Sequence, residues 1–201
     1  RASQRFMVTM LRSCVLSAAF AAHYAQWLCR QPGLRQVRYW RTPVPDPAHE
    51  SGLWQRPDKE KPRIVMIGDL STTSTRAGMR EFAYHIFPRL LSQLGEDSFT
   101  VHIIGGGRLP DPIMKRLDHP AVVFRGRIVP ADTEFLKASL VLVPTPVPLG
   151  IRVRIITAFS FGTPVVTHVA NTYGIAEIKH GYNALVGDSG IALAEQVREV
   201  L

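Results

Sequence analysis

From Arg63 onward, short apolar runs alternate with helical patterns, and no other feature of the sequence restricts the fold as much. The runs are Arg63 to Gly68, Phe99 to Ile104, Ala121 to Phe124, Leu140 to Val143, Val165 to Thr167 and Ala184 to Val186. Continuous apolar runs of this length fit strands buried on both faces, as in a parallel sheet. Between them, Met79, Phe82, Ala83, Ile86, Phe87, Leu90, Leu91 and Leu94 recur three and four apart, forming one helical stripe. Pro88 should kink that helix and Gly95 should close it. Further helices are expected around Ile113 to Leu117, Asp132 to Ala138, Val153 to Phe161 and Ile191 to Leu201. Asp132 suits a cap for one of them, Asp188 or Ser189 for the last, and Gly162 with Pro164 stops the helix from Val153. The expected fold is α/β, a Rossmann-like doubly wound parallel sheet over residues 62–201.

The front of the chain differs in kind. Residues 1–45 carry seven arginines and no acid, so of the net charge of +8 only +1 belongs to the rest. Such a basic segment suits a solvated face, an anionic membrane surface or an acidic partner. A nucleic-acid arm is disfavoured because no basic stripe with interleaved stacking aromatics appears. The apolar stretch Cys14 to Leu28 is interrupted by Ser17, His23 and Gln26 and falls short of the roughly 20 residues that cross a bilayer. Two isolated cysteines, Cys14 and Cys29, exclude a disulfide scaffold and a zinc module, and fit a reducing compartment. A Pro- and Asp-rich shift after Thr42 divides the chain into residues 1–46, a linker at 47–61 and the domain at 62–201. The chain begins at Arg1 without a Met, and more sequence is expected upstream.

In a doubly wound sheet, ligands bind beyond the carboxyl ends of the strands where the strand order reverses. That rule selects two loops, Gly68 to Thr75 and Val143 to Arg152. Each leads into a helix whose free amides favour an anion such as phosphate. Arg152 adds a positive charge there, and Arg154 follows two residues on. The two share one ligand only if Arg152 is still in the loop, and a diphosphate clamped by an arginine and a helix end stands level with ordinary helix-surface arginines on spacing alone. Other motifs are missing. Gly105 to Pro110 lacks the third glycine of a dinucleotide fingerprint, and no P-loop, nucleophile elbow or Asp-x-Asp pair occurs, so no cofactor or metal ion is expected. Glu177 follows Gly174 in an expected loop-to-helix turn on the ligand side, where it could bind ligand or cap a helix.

Gly150 to Thr167 (GIRVRIITAFSFGTPVVT), followed by Gly174, Glu177, Gly181, Asn183 and Leu185, resembles the donor-site signature of group 1 glycosyltransferases. Weaker echoes are the strand ending in Gly68, the helix with Phe82, Ile86, Phe87 and Pro88, Ile104-Gly105, and Val123-Phe124-x-Gly126. The resemblance covers about residues 62–201 and implies the C-terminal half of a GT-B fold. Residues 1–46 are then a remnant of the preceding N-terminal domain, which would bind the acceptor. It implies transfer of a sugar from a nucleotide-diphosphate sugar, with Gly68, Gly150, Arg152, Arg154, Thr157 and Glu177 at the donor. It also implies a cytoplasmic protein, and residues 1–45 would allow a peripheral position at a membrane.

The departures from that pattern are specific. Thr157 replaces a glutamate that would hold the donor ribose, and Leu149, eight residues earlier, replaces the first acid of a paired-acid motif. Asp69 stands where an arginine often follows the strand's glycine, while Arg154 replaces a lysine and keeps its charge. The rival reading is a non-catalytic domain of the same fold that binds a nucleotide or a protein partner.

Overall fold

The computed structural model describes residues 2–43 and 61–201; the expected linker lies almost wholly outside the described residues. The amino-terminal part contains α1 (Ala2–Leu11), β1 (Ser17–Ala19), α2 (Ala22–Cys29) and β2 (Val37–Tyr39). The strands β1 and β2 pair in parallel across α2, a small β-α-β unit. The interrupted apolar stretch is therefore a strand followed by an amphipathic helix, with Ala22, Ala25 and Leu28 buried. No helix among the described residues is long and apolar enough to cross a membrane.

The remainder forms a six-stranded parallel sheet of β3 (Arg63–Ile67), β4 (Thr100–Ile104), β5 (Val122–Gly126), β6 (Leu140–Val143), β7 (Val165–His168) and β8 (Leu185–Gly187). The spatial order is β5-β4-β3-β6-β7-β8. The chain starts at the centre, moves outward to one edge, then crosses back beyond β3, so the order reverses between β3 and β6. These two strands pair only at Ile64–Leu140 and Val65–Val141, whereas β3 and β4 pair at five positions. Pairing that stops short of both carboxyl ends leaves a crevice at the reversal.

Period-two alternation divides the core between the sheet's faces. Ile64, Met66, Leu140 and Leu142 point to one side and pack with Phe82, Phe87, Phe99, Leu193 and Val197. Val65, Val141 and Val143 point to the other and pack with Phe135, Ile155, Ala158 and Phe161. Fully buried Phe82, Phe87 and Phe99 each contribute about 1.5–3 kcal/mol. Helices on both faces are what double burial of the strands requires.

The helical stripe forms as α3 (Thr73–Glu81), a π-helical turn (Phe82–Ile86) and α4 (Phe87–Leu94). The π turn is where Pro88 acts: it lacks the N–H of a regular α-helical bond and its ring would press on the carbonyl of Tyr84. In the wider turn the Phe87 amide donates to Phe82 O instead. After β4 come α5 (Asp111–Arg116) and, after β5, α6 (Asp132–Leu136). Asp132 does not cap α6. The N-cap is Ala131, and Asp132 lies in the first turn, where its charge still meets the positive end of the helix. The helix α7 (Val153–Phe161) has the expected bounds and ends at Gly162, whose φ of +76° is left-handed. The last helix, α8 (Gly190–Val200), is capped by Ser189, whose Oγ accepts from the Ala192 amide.

Candidate functional site: the crevice between β3 and β6

The loop after β3 is built by its short polar residues. Ser71 donates to Asp69 Oδ1 from its amide at 2.8 Å and from its hydroxyl at 2.6 Å, closing an Asx turn. These two bonds hold the Asp69 carboxyl below the usual carboxylate range, helped by Arg76 and Arg127. Thr72 caps α3, accepting from the Thr75 amide. The turn after β4 interlocks with this loop, because Leu70 donates its amide to Gly106 O and a Cβ on Gly105 would overlap the Gly68 carbonyl. A cavity of about 530 Å³ opens here, lined by Gly68, Asp69, Ser71, Gly105, Gly107 and Arg127. Arg127 was not singled out in the sequence because its loop matches no motif. A second cavity, about 490 Å³ between α1 and α2, belongs to the amino-terminal unit.

On the β6 side, Arg154 reaches back across the reversal. Its Nη2 donates to Thr145 Oγ1 at 3.2 Å, and a Cβ placed on Gly68 would stand 2.9 Å from its Nη1. Burial, then repulsion from Arg152, lowers its guanidinium to about 10. Among the described residues, no carboxylate pairs with either arginine. Two neighbouring cations thus stand at the crevice, the charge of Arg152 adding to the burial that disfavours Arg154, without a balancing carboxylate among the described residues.

Arg152 is placed differently from a free clamp. It is the N-cap residue of α7 and is buried, donating from Nη1 to Leu149 O at 2.8 Å and from Nη2 to Val147 O at 3.0 Å. Its guanidinium ties down its own loop, while its buried Nε has no protein partner. Thr157 is half-buried and donates to Val153 O within its helix, and Leu149 is exposed. Gly150 has a left-handed φ of +65°, and its carbonyl fills the space where a Cβ of Gly174 would be.

Glu177 lies in a run of turns, and no helix starts there. Its carboxylate accepts from the Tyr39 hydroxyl at 2.9 Å and pairs with Arg41 Nε at 2.7 Å, both from the amino-terminal unit. Asn171, missed in the sequence, is buried; its Nδ2 lies 3.0 Å from Thr167 Oγ1 and 3.2 Å from Val143 O, joining the ends of β6 and β7. His168 accepts the Ala170 amide at Nδ1, a capping role. Among the described residues, no group of three or more His, Cys, Asp and Glu is arranged to hold a metal ion.

The family profile described as glycosyl transferases group 1 matches residues 61–201, most of the chain and all six strands of the sheet. The chain belongs to the group 1 glycosyl transferases. Solved structures similar to this family member have the same fold. TarM of S. aureus, in complex with fondaparinux, alpha-GlcNAc-glycerol and UDP, aligns with a TM-score of 0.76 at 13% identity over 100% of this chain and 39% of that one. An alpha,alpha-trehalose-phosphate synthase (UDP-forming) from Burkholderia xenovorans gives 0.73 at 12% identity, over 100% and 56% of the two chains. Anabaena HepE in complex with UDP and glucose gives 0.68 at 16% identity, over 98% and 56%. The chain therefore spans 39 to 56% of the lengths of these proteins. A search of curated proteins finds no match.

Proposed function

We propose that residues 62–201 are the donor-binding domain of a glycosyltransferase that takes a nucleoside-diphosphate sugar. The observation that carries this reading is Arg154: a guanidinium with a lowered pKa at the strand-order reversal, beside a second arginine and without a carboxylate partner among the described residues. A diphosphate supplies the charge that both cations lack. As the glycosidic bond to the donor breaks, negative charge grows on the leaving diphosphate, and fixed guanidinium and helix-end donors stabilise it. In this reading Arg154 contacts the diphosphate. Arg152 shapes the Val147–Gly150 loop and adds its field, and the Gly68 and Gly150 turns admit the phosphates closely. The cavity at Gly105–Gly107 and Arg127 extends the crevice along the nucleotide. The UDP complexes of TarM and HepE support uridine as the base to try first. Residues 1–46 would be the end of the acceptor-side domain, with exposed Phe6, Met10 and Trp40 and the arginines facing that domain or a membrane surface.

Titration of the chain with UDP, GDP, ADP and TDP by calorimetry or ligand-observed NMR tests the proposal. Weak binding of at least one, lost in Arg154→Ala, is expected; no binding at millimolar concentration overturns it. One observation favours the rival, a non-catalytic domain: the two positions of the paired-acid motif hold exposed Leu149 and a Thr157 hydroxyl engaged with its own helix. That rival predicts nucleotide binding or partner binding without sugar transfer when the complete protein is assayed.

A further inference from the structure

The amino-terminal unit and the donor-side loops meet through a small set of polar contacts. The first two amides of α2 donate outward: Ala22 to Gly174 O at 3.1 Å and His23 to Tyr173 O at 3.0 Å. The His23 ring donates from Nδ1 to the same Tyr173 oxygen at 2.8 Å. Tyr39 and Arg41 are two residues apart, the spacing that puts side chains on one side of an extended chain. Each takes one oxygen of the Glu177 carboxylate. The turn from Tyr173 to Glu177 is thus held at both ends, by a helix start and by a carboxylate.

That turn bears directly on the crevice. Gly174 packs against the carbonyl of Gly150 so closely that no side chain fits between them. Gly150 in turn leads to Arg152, whose guanidinium closes the same loop on Leu149 O and Val147 O. An unbroken line of contact therefore runs from Tyr39 and Arg41 through Glu177, Gly174 and Gly150 to Arg152.

We propose that Tyr39 and Arg41 are positioning residues for the donor site: by holding Glu177 they seat the Tyr173–Glu177 turn, and through it the Gly150–Arg152 loop. The link to a donor rests on the nucleotide reading given above; the seating of the loops does not. Glu177 then serves the site from behind, as an anchor whose two oxygens are committed to the amino-terminal unit. Movement of that unit is transmitted to the loop that carries Arg152.

Hydrogen–deuterium exchange on the full chain tests this with Arg41→Glu, Glu177→Arg and the charge-swapped double variant, which a merely space-filling contact would not rescue. Each single variant should speed exchange of the Gly174, Ile175 and Leu149 amides about three- to tenfold, the range for losing one ordinary hydrogen bond, while Val101 and Val141 in the sheet stay unchanged. The double variant should restore protection, and Tyr39→Phe should give a smaller increase. Exchange at Leu149 that stays at the parental rate in both single variants, or a double variant without rescue, overturns the proposal. UDP titration of the parent judges the nucleotide reading by itself, since failure to bind sinks that reading and leaves the exchange result to decide the seating. Where the parent binds UDP, Arg41→Glu should bind several-fold more weakly, and equal affinity breaks the link from Tyr39 and Arg41 to the donor site.

Discussion

The guanidinium of Arg154, in the first turn of α7, lies over Gly68 at the end of β3, where an added Cβ would come within 2.9 Å of its Nη1. Two strands adjacent in space but far apart in sequence thereby share one cation at the mouth of their crevice.

Arg154→Met should weaken nucleotide binding about tenfold or more, following the ~1.5–3 kcal/mol of a hydrogen bond to a charged group. It should leave the melting temperature unchanged or higher, because burial already penalises the charge and no described carboxylate balances it. Arg198→Ala, which removes an exposed arginine paired with Glu195, is the control and should not change affinity.

Arg152→Ala should behave in the opposite way with respect to stability. Its two bonds to loop carbonyls are lost and the Val147–Gly150 loop loosens, so a fall of about 1–3 kcal/mol in unfolding free energy is expected from urea titration. Any loss of nucleotide affinity should come with faster proteolysis at that loop.

Gly105→Ala tests the interlocked turns. The new Cβ would overlap the Gly68 carbonyl, which is backbone in the central strand's exit and has no room to retreat. Overpacking of this kind costs about 1–3 kcal/mol, so a lower urea midpoint is expected, whereas the same change at Gly106, which faces open space, should cost less.

The contact between Tyr39 and Glu177 predicts a pH window. Burial, then the hydrogen bond and charge of Glu177, raises the Tyr39 phenol from 10.0 to about 12. The folded state thus holds the proton more tightly than the unfolded chain. The stability this contributes is complete below pH 10 and is lost as pH rises through 12. The stability difference between the parent and Tyr39→Phe should be flat at neutral pH and shrink across that interval in urea titrations.

Thr157→Glu places a carboxylate where the proposed donor site would hold the ribose. The site is half-buried, so a Glu can reach solvent and should cost little stability. With a donor ribose alongside, nucleotide affinity should rise by up to ~1–2 kcal/mol. A lower melting temperature without gained affinity favours the non-catalytic rival.

The period of the apolar residues sufficed to read the six strands, their parallel arrangement and the bounds of α7, because burial on both faces is written locally as a continuous run. Gly162 was legible for the same reason, since a left-handed stop is decided within one turn, whereas the cap of α8 was narrowed only to Asp188 or Ser189 and the structure selects Ser189. Pro88 was visible, but the π turn that accommodates it depends on Phe82, Ile86 and Phe87 all staying in the core, a tertiary demand. The direction of each polar side chain was not legible. Arg152 and Arg154 are near neighbours in sequence, yet one closes its own loop and the other crosses to β3, because the partner within reach depends on where the chain has folded back. Glu177 finds Tyr39 138 residues away, and Asn171 meets Val143 28 residues away. Local patterns decide which backbone forms because they act over a few residues, whereas charges and amides are satisfied by whatever packing brings near, and only the tertiary structure decides that.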